Sequence, residues 1–195
     1  SMRELQVPYT GKAVRVIQAF NGELFTKAGR YMPSAGEYIE SNTKDDILKI
    51  VVKYRYKNSA PAIGFISGFG LKKGAFATSV AHDSHNVIAI GTDDSLIMNA
   101  MNAVISAKGG LAVADDDQIR LLPLPVAGLM SGETVSDVAA TYTKLSEAVR
   151  KMGCTMDAPF MTLSFMALLV IPELKLSDRG LFDCSTFSLA PLYCE

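Results

Sequence analysis

Only two stretches of this chain repeat their apolar residues at helical spacing, and that limits the fold more than any other feature. The first covers residues 95–108, with Leu96, Ile97, Ala100, Met101, Val104 and Ile105 on one stripe. Asp93 or Asp94 can cap its start, and Gly109-Gly110 can end it. The second covers residues 135–152, with Val135, Val138, Ala139, Tyr142, Leu145 and Val149 on its stripe. Thr134 and Asp137 resemble a capping box there, and Gly153 suits the C-terminal position. The remainder is broken into short apolar runs. Residues 13–20, 47–56, 62–69, 75–81 and 87–90 read as strands. Asn21-Gly22 marks a turn after the first, and Lys72-Lys73-Gly74 joins the third to the fourth. Residues 111–114 and 119–122 flank Asp115-Asp116-Asp117 as a hairpin, interrupted by Pro123 and Pro125. Residues 26–40 read as irregular and 187–193 as an edge strand. Within 160–181, Glu173, Lys175, Asp178 and Arg179 read as a surface ion-pair group. No repeat, low-complexity tract or linker divides residues 1–195. The expected fold is a single α+β domain, a mostly antiparallel sheet with two main helices.

A chain of 195 residues buries about 70% of its unfolded surface, so it needs no disulfide or metal to hold it. Three cysteines, Cys154, Cys184 and Cys194, form no C-x-x-C pair, and a reducing, cytoplasmic setting fits them. With 19 basic and 20 acidic side chains there is no cationic excess for a phosphate backbone, so nucleic acid is not an expected partner. The longest apolar run, residues 165–171, is too short to span a membrane.

Both histidines, His82 and His85, fall in one motif, SVAHDSHN at residues 79–86. Two imidazoles leave a zinc site short of ligands, and no H-x-H, H-E-x-x-H, G-x-S-x-G or Walker loop occurs. Gly64, Gly68 and Gly70 have the wrong spacing for a dinucleotide loop and read as strand and turn punctuation. Ser79 stands three residues before His82, but nothing supplies an oxyanion hole or an orienting partner for a serine hydrolase. The cluster does hold the side chains that proton transfer uses: His82, Asp83 and His85 as catalytic candidates, with Ser79, Ser84 and Asn86 as substrate-binding candidates. The same types also build turns by bonding to nearby backbone, so a structural turn is the competing reading.

Residues 68–86 (GFGLKKGAFATSVAHDSHN), 122–131 (LPLPVAGLMS) and 159–183 (PFMTLSFMALLVIPELKLSDRGLFD), with the weaker 45–49 (DDILK), resemble the C-terminal domain of bacterial-type adenine deaminases of the amidohydrolase superfamily. The blocks are collinear and span nearly the whole chain. The resemblance implies conversion of adenine and water to hypoxanthine and ammonia in purine salvage. It implies a partner in the same protein, an N-terminal (β/α)8 barrel holding manganese or iron, with no metal in this chain. It also implies that the isolated chain is inactive, and that the His82–Asn86 turn faces the barrel. Self-association into a homo-oligomer is a further expectation, and a non-catalytic assembly or regulatory module with a structural His cluster is the alternative. This chain departs from the family pattern at Tyr56, where His is common, at Ser59-Ala60, where Thr-Gly is common, and at Leu169, where Pro is usual.

Overall fold

The central strands alternate small and large side chains, and this alternation sorts them onto two faces. The strands are β3 (Leu48–Lys53), β5 (Ala75–Thr78), β6 (Val87–Gly91) and β7 (Gly110–Ala114). Val51, Ala75, Ala77, Ala89, Ala112 and Ala114 pack with Ile97, Ala100, Met101 and Val104 of helix α1 (Asp94–Ser106). Ile50, Val52, Phe76, Ile88, Ile90, Leu111 and Val113 fill the opposite face. There they meet Leu145 and Val149 of α2 (Val135–Lys151) and Phe160 and Leu163 of α3 (Pro159–Phe165). Alanines thus dominate the face under α1, and larger side chains the face under α2 and α3.

The computed structural model describes residues 2–194. Among them a nine-stranded sheet has the order β12-β1-β4-β3-β6-β5-β7-β8, with β2 also paired to β1. The outer members are β1 (Ala13–Ala19), β2 (Thr26–Tyr31), β4 (Ala62–Ser67), β8 (Ile119–Pro123) and β12 (Tyr193–Cys194). β1 and β4 run parallel, with Val16 opposite Phe65. The other pairings of the large sheet are antiparallel. A three-stranded sheet of β9 (Leu174–Ser177), β10 (Gly180–Asp183) and β11 (Ser188–Leu189) packs on β4. The architecture is α+β, as the two periodic segments and the short strands imply.

Three sequence expectations need correction, and one expected connection joins strands that are not neighbours. Residues 26–31 form a strand: β2 pairs along all of β1 from Val14 to Ala19, but as an outer strand it lacks an apolar face to signal it. Strands β4 and β5 are joined by Lys72-Lys73-Gly74 yet do not pair, since β3 and β6 lie between them. Residues 187–193 are not one edge strand but feed two sheets through β11 and β12. The group Glu173, Lys175, Asp178 and Arg179 is not a surface ion-pair cluster. Lys175 is fully buried, its Nζ donates to the Leu24 carbonyl at 2.7 Å, and Glu173 accepts the Ala28 N–H at 3.0 Å. Burial pushes the Lys175 amine down to about 8, and Cys184 opposes it.

Both main helices start on the caps that their sequences offer. Asp93 Oδ1 accepts the Ser95 and Leu96 N–H groups at 2.8 and 3.3 Å, and the Ser95 hydroxyl as well. Thr134 Oγ1 accepts the Asp137 N–H at 3.3 Å. The Ser95 hydroxyl is the main cause that holds the Asp93 carboxyl below its ordinary value; partial burial opposes it, and the two N–H groups and the Lys49 charge assist. A depressed carboxyl stabilises the fold above its unfolded pKa and ceases to as pH falls through its folded value. Asp93→Ala is therefore expected to cost about 1 kcal/mol near neutral pH. In urea titrations the gap between variant and parent should shrink on acidification; a gap unchanged by pH would contradict the capping role.

Candidate active-site turn

β5 and β6 are antiparallel neighbours, and residues 79–86 carry the chain from one to the other. Several local bonds fix this connection. Thr78 Oγ1 accepts the Val80 N–H at 3.0 Å. Ser79 is fully buried; its hydroxyl donates to the Gly128 carbonyl at 2.6 Å and accepts the Gly110 N–H at 2.8 Å. Its bonding capacity is thus used to tie the turn to the loops at 109–110 and 127–128. The His82 N–H donates to the Ser164 carbonyl at 3.1 Å, and the His82 ring stacks on Phe165 with centroids 4.9 Å apart at 25°. The His85 N–H donates to the Ala81 carbonyl at 2.6 Å, which holds His85 in the left-handed region at φ 50°. The two imidazoles meet edge to face, 5.7 Å apart.

Around this frame the six sequence candidates separate by exposure. Ser79 and Asn86 are buried, His82 and His85 half-buried, and Asp83 and Ser84 exposed at the tip. The structure brings His82, Asp83 and His85 together at one end of the central strands β5 and β6. Burial is the main cause that pushes the His85 imidazole below its ordinary value; the positive charges of His82 and Arg55 add to it, and Asp83 opposes. A neutral ring near pH 7 offers one donor and one acceptor.

Three polar atoms here are buried without a hydrogen-bond partner: His85 Nδ1, Asn86 Oδ1 and Arg55 Nε. An unsatisfied buried polar group costs about 1–3 kcal/mol, and such groups in native proteins have a reason to be there. Arg55 is anchored by its Nη2, which donates to the Tyr56 hydroxyl at 2.8 Å and the Ala127 carbonyl at 2.6 Å. Gly128 makes this possible, because a Cβ there would overlap Arg55 Nη1. No sequence motif singles out Arg55, and none marks Phe165 as the platform for His82. The helix carrying Phe165 spans two turns at most, too short for its period to stand out.

Among the described residues, no group of three or more His, Cys, Asp and Glu side chains gathers where an ion could be held.

Comparison with known proteins places this arrangement in a family. The model of the adenine deaminase C-terminal domain matches residues 23–188. The chain belongs to the adenine deaminase C-terminal domain family. A relative named adenine deaminase from Parabacteroides distasonis is 48% identical over 193 residues, covering 98% of this chain and 35% of its own length. One from Salinibacter ruber is 47% identical over 195 residues, covering 98% and 36%. One from Methanosarcina mazei is 48% identical over 185 residues, covering 94% and 33%. This chain thus spans about a third of the length of these curated relatives. The residues matched by the family model include the 79–86 turn, Arg55 and α3. No helix among the described residues is long and apolar enough to cross a membrane.

Proposed function

We propose that this chain is the C-terminal part of an adenine deaminase, and that its 82–86 turn completes the active site of the whole protein. One observation carries this reading: His85 Nδ1 and Asn86 Oδ1 are adjacent, buried and unpartnered, on a turn whose tip is open. Such atoms fit a partner that the chain itself does not supply. The names of the relatives give the substrate class.

Hydrolysis of adenine adds hydroxide at C6, protonates a ring nitrogen and releases the exocyclic amine as ammonia. Manganese or iron, held in an amidohydrolase barrel outside this chain, would supply the hydroxide. The residues here suit the proton work. The neutral His85 ring can accept a proton near neutral pH and then return it as the imidazolium. Asp83 lies close enough to act on that ring's charge, and His82, fixed on Phe165, sets the other side. Ser84 offers an exposed hydroxyl, and Asn86 Oδ1, buried beneath it, is an acceptor that a purine N–H reaches once the turn shifts. Ser79, whose hydroxyl is bonded within the chain, serves by holding the turn in place. The setting is cytoplasmic purine salvage.

In the complete gene product, His85→Ala is expected to lower kcat on adenine about 100-fold with little change in melting temperature. The acid limb of kcat/KM in the parent should fall below pH 6.5, the ordinary histidine value, because the His85 pKa is lowered. Unchanged kcat and KM in both His82→Ala and His85→Ala would sink the proposal. A second reading, a non-catalytic assembly module, is favoured by the groove along α2 where Met130 and Val135 are exposed. It predicts that same unchanged kinetics, together with altered light scattering when Val135 is made Ser.

A further inference from the structure

Behind the turn lies a cavity of about 610 Å³, in the range of small-ligand sites. Its lining is unusual for this chain. Overall the chain is balanced in charge, yet the cavity is lined by Lys53, Arg55, Lys57 and Lys108 and by no carboxylate. Its floor is apolar, made by Val87, Val104 and Ile105. Tyr54 and Tyr56 also line it, edge to face at 5.5 Å, and the Arg55 guanidinium stands 4.8 Å from the Tyr56 ring. The carbonyls at the end of α1 do not oppose an anion strongly. Val104 O accepts the Gly109 N–H at 2.9 Å, and Ile105 O accepts the Lys108 N–H at 3.0 Å.

Arg55 is built into the wall, not draped over it. Two bonds through Nη2 and the space left by Gly128 hold the guanidinium, while Nε is buried and unpartnered. A guanidinium fixed in this way, with Lys53, Lys57 and Lys108 lining the same cavity, is suited to an oxyanion. Tyrosine faces beside it suit a planar ring.

We infer that this cavity binds a small anion carrying a planar heterocycle, of the nucleoside monophosphate class. The phosphate meets Arg55 and Lys108, and the ring lies on the Tyr56 side over the apolar floor. This site goes beyond the proposed deaminase reading: binding to it needs no turnover and no metal, so the two fail separately.

The test is calorimetric titration of the 195-residue chain with AMP, adenosine and inorganic phosphate. AMP is expected to bind saturably and at least about ten-fold more tightly than either fragment of itself, because only AMP engages both the cations and the rings. Arg55→Gln and Lys108→Asn should each weaken AMP by about five-fold or more. Lys108 is an exposed residue at φ 60°, where Asn is tolerated, so this second variant keeps the test informative if Arg55→Gln does not fold. Tyr56→Ala removes the ring and one of the two bonds that hold Arg55, so it should weaken AMP by more than it weakens phosphate. Adenosine binding as tightly as AMP, phosphate binding as tightly as AMP, or no saturable AMP binding would each overturn the inference. So would tighter binding of a single-stranded oligonucleotide than of AMP, which would assign the cations to a polymer.

Discussion

Asp94→Ala is expected to destabilise the chain by about 3–5 kcal/mol, and Lys49→Met by clearly less, although both remove the same ion pair. Lys49 lies on the α1 face of β3 and is fully buried. Its Nζ donates to Asp94 Oδ1 at 2.6 Å and to the Leu5 carbonyl at 3.0 Å, with the exposed Glu40 carboxylate at 4.0 Å. The bonds join three elements: the short 3-10 helix Met2–Leu5, the middle of the large sheet and the first turn of α1. Removing Asp94 leaves an ammonium inside the apolar cluster of Val51, Ile97 and Met101 with one carbonyl and a distant, solvated Glu40. Removing the lysine instead leaves Asp94 partly in water, where it can be solvated, and puts an apolar side chain of similar length in its place. Equilibrium urea denaturation at neutral pH gives both values. Equal losses, or a larger loss for Lys49→Met, would contradict this account of the pair.

Gly68→Ala is expected to cost roughly 3 kcal/mol, combining backbone strain with overpacking against a rigid neighbour. Gly68 follows β4 at φ 102°, in the region that favours glycine, and a Cβ there would run into the Ala19 carbonyl oxygen at the end of β1. The obstacle is backbone and cannot turn aside as a side chain would. The segment is also clamped: the Asp46 carboxylate accepts the Gly68 and Gly70 N–H groups, each at 2.7 Å. Asp46→Ala releases the clamp without filling the space, so it should cost less than Gly68→Ala. Thermal melting of the two variants checks the order, and a Gly68→Ala protein as stable as its parent would refute the close approach.

Both predictions rest on contacts that no local pattern announces. Helices α1 and α2 were legible because each repeats its apolar residues over three turns or more and starts at a side-chain cap. The strands of the sheet centre were legible as apolar runs, but their order was not. The parallel pairing of β1 with β4, and the insertion of β3 and β6 between β4 and β5, depend on tertiary packing alone. β2 was missed because Thr-Lys-Ala-Gly-Arg-Tyr leaves only Thr26 buried. The buried Lys175 was misread because lysine is rarely fully buried, and nothing in Leu-Lys-Leu-Ser shows that the Leu24 carbonyl waits for it.

The candidate site divides in the same way. His82 and His85 were conspicuous as the chain's two histidines, and their placement on a turn between two strands follows from the runs that flank them. What the sequence withheld was their setting. Phe165 reaches His82 from α3, and Arg55 acts on His85 from just beyond β3; both are brought in by the fold from far along the chain. The bonding of Ser79 to Gly110 and Gly128 was hidden for the same reason.

Adenine-dependent ammonia release, measured on this 195-residue chain and on the complete gene product in matched buffers containing manganese or iron, tests the central claim most directly. The account predicts release by the complete protein and none by this chain, among whose described residues no group of three or more His, Cys, Asp and Glu side chains gathers. Turnover by the isolated chain would contradict it, and so would a complete protein that leaves adenine untouched.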